Sequence, residues 1–190
     1  MLDGPAYIHP SVLVYGAVSA EEDSSLWPHV VIRAEMHAVH IGRRTNLQDF
    51  VMVHVGYHTP TVIGSDCSIT HHCTLHGCTI GDRVLVGIGS TIMDGCVVGD
   101  NSIVAGHSFL KEGTVIPPNS IVMGAPAKVV KQRNNAVDNA FNAWLYHHNA
   151  LAYARGEHRA WCGEAFEAAA RAERARLEAM GWDAGDAAPR

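Results

Sequence analysis

The run Ile80-Gly81-Asp82-Arg83-Val84-Leu85-Val86-Gly87-Ile88-Gly89-Ser90-Thr91-Ile92 decides how this chain folds. Its aliphatics Ile80, Val86 and Ile92 stand six apart, and the same step continues through Val98, Val104, Leu110, Ile116 and Val122. Glycine often follows (Gly81, Gly87, Gly99), and a small or β-branched residue commonly sits four places on. Upstream the phase holds at Ile8, Val14, Ala20, Leu26 and Ile32, then at Ile41, Leu47 and Val53, and again at Ile63, Ile69 and Leu75. A period of six is neither helical nor a simple strand alternation. It suits a solenoid in which each hexad gives one short strand and a turn, the aliphatic pointing inward onto its equivalent one coil away.

The repeat resembles the left-handed parallel β-helix of hexapeptide-repeat proteins over about residues 6–130. That resemblance implies a triangular prism with three hexads per coil, so the fold class is mainly β. The repeat has three breaks: three extra residues between Ile32 and Ile41, four between Val53 and Ile63, and one missing between Leu75 and Ile80. Insertions in solenoids are expected as loops at corners, often on the functional face. Gly124-Ala125-Pro126 ends the repeat.

Val137, Phe141, Trp144, Leu145, His148 and Leu151 then recur at helical spacing. They predict a helix over about 135–155, with Phe141 and Trp144 packed on the prism. Gly156 breaks it, and a second helix is expected over about 163–180 as a mobile or intersubunit element. The division is thus a β-helix domain over 1–133 and a C-terminal helical appendage over 134–190, with 181–190 expected to fray.

The 190 residues carry a formal net charge of -5, which provides no basic footprint for nucleic acid. No apolar run reaches membrane-span length, and Met1-Leu2-Asp3-Gly4-Pro5 lacks a signal-peptide pattern. Five cysteines, odd in number and without a C-x-x-C, fit reduced thiols in a cytoplasm.

The repeat also assigns histidines to faces. His54 and His76 each follow their inward aliphatic, Val53 and Leu75, and share a face one coil apart at about 4.8 Å rung spacing. Arg33 and Glu35 fall on that face too. His71, with Gln48 and Asp49, falls on another, too far around one prism to join the pair. A three-histidine site therefore needs a neighbouring subunit. His72, His107, His147 and His148 are expected to be structural, and Cys73 and Cys78 to pack.

Arg33-Ala34-Glu35, Asn46-Leu47-Gln48-Asp49, the lone His54, and His71 with His76 together resemble the motif set of the γ-class carbonic anhydrase family. The resemblance implies a homotrimer with interfacial sites. His54 and His76 of one subunit and His71 of the next would hold zinc, with iron or cobalt as alternatives. A hydroxide generated on that metal would attack carbon dioxide, Gln48 orienting it and Asn46 positioning Gln48. Arg33 would pair with Asp49 across the interface. Glu35 stands where the family usually has Asp. Met36 and the loop Val55–Thr61 stand where characterised members carry glutamate proton shuttles, so His37, His58 and Tyr57 are the candidates to relay protons. Two other functions use the same scaffold. One is hydrolysis or transfer of a small acyl compound, as in the thioesterases and coenzyme A-dependent acyltransferases of related solenoids. The other is a non-catalytic, metal-stabilised trimeric assembly or binding subunit.

Overall fold

A computed structural model of the chain describes residues 2 and 4–182. The expectation of fraying over 183–190 lies outside the described residues. A parallel β-solenoid forms the body, and two α-helices follow it. Three faces repeat along the prism. The first carries the strands Tyr7–Ile8, Ser25–Leu26, Asn46–Leu47, Ser68–Ile69, Leu85–Val86, Ile103–Val104 and Ser120–Gly124. The second face carries Met52–His54, Thr74–His76, Thr91–Ile92 and Phe109–Leu110. The third carries Thr61–Ile63, Thr79–Ile80, Val97–Val98 and Val115–Ile116. An antiparallel strand, Ala127–Gln132, closes the first face.

The inward aliphatics stack in register, Leu26 on Leu47 and Leu47 on Ile69 along the first face, Ile32 on Val53 and Val53 on Leu75 along the second. From Leu26 to Val122 each inward aliphatic is essentially inaccessible to water. Burying such a side chain is worth about 1.5–3 kcal/mol, which is why the register holds. In the first coil Ile8 and Val14 are 38% exposed, because no rung among the described residues lies beneath them.

Corners are turned by single residues in the left-handed region, and each corner has its own chemistry. Asp23, Arg44, Asp66, Arg83, Asn101 and Asn119 (φ between 53° and 65°) line the corner from third face to first. Gly77, Gly95 and Gly113 turn the second face into the third. His29, Phe50, His72 and His107 turn the first into the second, and the ring of Phe50 stacks between those of His29 and His72.

The insertion after Ile32 is not the expected loop. Strand Val31–Ile41 runs unbroken around the corner, pairing with Met52–His54 through its first residues and with Thr61–Ile63 through its last. The underlying strand, Leu13–Ala20, is three residues shorter between its matched positions, so the extra residues push outward. Glu35 and Met36 are exposed there. The second insertion, between His54 and Thr61, does form a loop.

Helix α1 (Ala136–Ala154) runs back along the first face to the first coil. Its prism-facing stripe differs from the expected one. Ala136, Asn139, Ala143 and Ala150 are among its buried positions, and Asn139 Nδ2 donates to the carbonyls of Arg83 and Ser102. Small side chains let the helix lie close to a flat sheet face, so Phe141 and Trp144 turn elsewhere, while Tyr146 and Tyr153 meet Trp27 at the first coil. Phe141 and Trp144 stack on each other, Trp144 on Phe166, and Arg174 lies over Phe141. Helix α2 (Glu164–Glu178) is docked on α1 through Leu177, Val137 and Ala140, with Arg174 2.8 Å from Asp138. No described helix is long and apolar enough to cross a membrane.

Candidate metal centre

His54 and His76 sit at matched positions of adjacent rungs on the second face, with Arg33 one rung below His54. Side chains at matched positions project side by side from a parallel ladder, so the two imidazoles meet. His54 Nδ1 lies 3.0 Å from His76 Nε2. The outer nitrogen of each ring lies on a carboxylate. His54 Nε2 is 3.0 Å from Glu35 Oε2, and His76 Nδ1 is 2.8 Å from Asp94 Oδ2. Glu35 reaches His54 because its strand bulges outward at the insertion, and Arg33 engages the same carboxylate at 3.0 Å. Hydrogen bonding from its own backbone N–H, then His54, and the charge of Arg33 hold the Glu35 carboxyl below its ordinary range.

His71 lies at the corner between the first and second faces, its Nδ1 3.1 Å from Asp49 Oδ2. Beside it Gln48 is 2% exposed and donates from Nε2 to Asn46 Oδ1, while Asn46 Nδ2 donates to the Cys67 carbonyl and to Ser68 Oγ. The structure thus gathers Arg33, Glu35, His54 and His76 into one group, and Asn46, Gln48, Asp49 and His71 into another. Within the chain Arg33 engages Glu35, and Asp49 engages His71. No three His, Cys, Asp or Glu side chains among the described residues converge as one metal-holding group.

A depression of about 440 Å³ opens over the His54–His76 pair, walled by Met36, Val55 and Tyr57. Met36 is 62% and Tyr57 72% exposed. Of the relay candidates, His37 Nε2 lies 3.2 Å from the Tyr57 carbonyl, and His58 packs edge-on against the Tyr57 ring. His72 stacks on Phe50, and the Cys73 and Cys78 thiols are buried. Tyr7 and Tyr153 pack together with Trp27 beneath α1.

The donor chemistry fits a divalent metal of intermediate softness. Each of the three histidines has one ring nitrogen on a carboxylate, the arrangement that fixes a tautomer and leaves the other nitrogen's lone pair for an ion. At 3.0 Å the two inner nitrogens share a hydrogen bond, and the same separation lets a cation take the place of the shared proton. Metal–nitrogen bonds of about 2.05 Å in a tetrahedron place their donors about 3.3 Å apart, close to the separation seen. Sequence reading missed Asp94 because the position matched to His76 one coil on is Met93, and Asp94 follows it at the corner, off the register that paired His54 with His76.

The family model for the bacterial transferase hexapeptide (six repeats) matches residues 77–112. Protein YrdA of Escherichia coli (strain K12) is 47% identical over 94 residues, 46% of this chain and 51% of that one. A carbonic anhydrase of Geobacillus kaustophilus is 40% identical over 127 residues, 67% of this chain and 70% of its own. The chain belongs to the γ-class carbonic anhydrase-like family of hexapeptide-repeat proteins. A hexapeptide transferase family protein from Anaplasma phagocytophilum shares this family's solenoid, with a TM-score of 0.65 and 29% identity over 79% of this chain and 91% of that one. The chain spans about half the length of YrdA, and about 70% of the Geobacillus carbonic anhydrase.

Proposed function

We propose that the chain is a metal-dependent carbonic anhydrase-like enzyme whose centre is completed between subunits of a homotrimer. The observation that carries this reading is the His54–His76 pair, its inner nitrogens 3.0 Å apart and its outer nitrogens each on a carboxylate. His54 and His76 of one subunit and His71 of the next would hold zinc, iron or cobalt. Bound there, such an ion supplies Lewis acidity that lowers the pKa of a water toward neutrality. The chain's own residues do the rest. Gln48 gives its amide N–H to Asn46, so its carbonyl oxygen stays free to accept a hydrogen bond and orient the attacking oxygen. Arg33 and Asp49 lie on different faces of one chain. A partner subunit brings them within reach, where a bidentate pair would fix the register of the interface. His37, His58 and Tyr57, the first two each in contact with Tyr57, would relay the proton, since the Val55–Thr61 loop carries no carboxylate.

A second reading is favoured by the apolar wall of Met36, Val55 and Tyr57. Such a wall suits a small acyl compound, hydrolysed or transferred at the same centre, as the transferase-type relatives suggest.

The test begins with light scattering and metal analysis. A particle of three times the 20.5 kDa chain with one ion per chain is expected. His54→Ala and His71→Ala should each abolish metal binding; retention by His71→Ala would sink the interfacial site. Stopped-flow carbon dioxide hydration, run beside an acyl-coenzyme A hydrolysis panel, then separates the two substrates.

A further inference from the structure

Asp94 belongs to no motif that the sequence offered, yet its carboxylate occupies a seat built for it. Oδ2 lies 2.8 Å from His76 Nδ1, and Thr59 Oγ1 donates to Oδ1 at 3.4 Å. The seat exists because Gly56 and Gly77 have no side chains: a Cβ on either would run into the Asp94 carboxylate and the Thr59 hydroxyl. Gly77 also turns the corner at φ 54°, a conformation that favours glycine. Three separate stretches of chain therefore meet on one carboxylate: the His54–Thr61 loop, the rung of His76, and the rung above it.

We infer that Asp94 is a positioning residue, holding His76 as the Nδ1–H tautomer with Nε2 turned to His54, and locked in place by Thr59 and the Gly56–Gly77 cradle. A carboxylate accepts and never donates when ionised, so it selects the proton on Nδ1 and leaves the Nε2 lone pair exposed to the site. Its negative charge also makes that imidazole a stronger donor to a cation. Thr59 ties the same carboxylate to the loop that carries Tyr57 and His58, so the ligand and the wall of the depression share one anchor. This role rests on the metal reading above, but the tautomer does not.

The test has two arms. Nitrogen-15 NMR of the metal-free trimer should find His76 as the Nδ1–H tautomer, shifting toward Nε2–H in Asp94→Ala. Chelator competition for zinc should show affinity falling by about 10–100-fold in Asp94→Asn, as for other carboxylates behind a ligand histidine. Asp100→Asn, at a different corner, should bind as tightly as the parent. An unchanged tautomer in Asp94→Ala overturns the inference even if metal binds. Unchanged zinc affinity in Asp94→Asn does the same. A drop in metal-free melting temperature large enough to explain the lost affinity makes Asp94 merely structural and also overturns it. A parent protein that binds no metal but shows the tautomer shift overturns the proposed function and leaves only the tautomer assignment of His76 standing.

Discussion

At the scale of single residues, the six-residue step made the His54–His76 pairing legible, because matched positions on adjacent rungs must lie side by side. The contact of Glu35 with His54 was not, since it depends on the path of inserted residues that follow no period. The thiols give a direct check on burial. Cys67, Cys73, Cys78 and Cys96 are buried and Cys162 is exposed, so a maleimide at pH 8 should modify one thiol in the native protein and five after denaturation. Burial also pushes the Cys67 and Cys78 thiols up to about 12. Unfolding lets them ionise near the ordinary thiol value of 9.0, so the unfolded state releases protons that the native state keeps. Their contribution to stability is intact below about pH 9 and is lost as pH rises from there toward 12. Urea midpoints should fall across that window, and less steeply in a Cys67→Ala, Cys78→Ala variant.

Among the elements, the strands were readable almost rung by rung, and α1 was readable in extent but not in orientation. Periodicity finds large apolar residues, and in an isolated amphipathic helix those face the core. Here the core is already sealed inside the prism, and the helix meets the outer surface of a sheet. Close approach and backbone hydrogen bonding decide the contact, so Asn139 and Ala143 are buried toward the prism while Ala140, Phe141 and Trp144 receive α2. Two variants distinguish this packing from the one expected from periodicity. Ala143→Leu should destabilise by about 1–3 kcal/mol through overpacking. Asn139→Ala should cost a similar amount, since the Arg83 and Ser102 carbonyls lose a donor. Urea denaturation of the purified variants measures both; a neutral Ala143→Leu would place that face in open space.

For the molecule as a whole, the sequence yielded a division of labour between faces but not the closure of the chain on itself. Contacts within the prism join residues about one coil apart, and nothing in that pattern links its ends. Helix α1 does. It spans about 28 Å at 1.5 Å per residue, enough to run from the Asn101 rung, where Asn135 donates to the Asn101 carbonyl, down to the first coil. There Tyr153 packs on Tyr7 and Trp27, and His147 approaches the Asp23 carbonyl at 3.3 Å. A stack of near-identical rungs is a linear array whose terminal members open first, and the uncovered Ile8 and Val14 mark the weak end. Strapping that end to the last coils turns the array into a closed circuit, in which the first rung cannot open without also releasing the helix. Amide exchange across Tyr7–Leu26 should then be as slow as in the central rungs. A chain ending before Ala136 should exchange fastest at its first coil, with protection rising rung by rung. Slow exchange at that coil in the shortened chain would mean that the strap adds nothing to cooperativity.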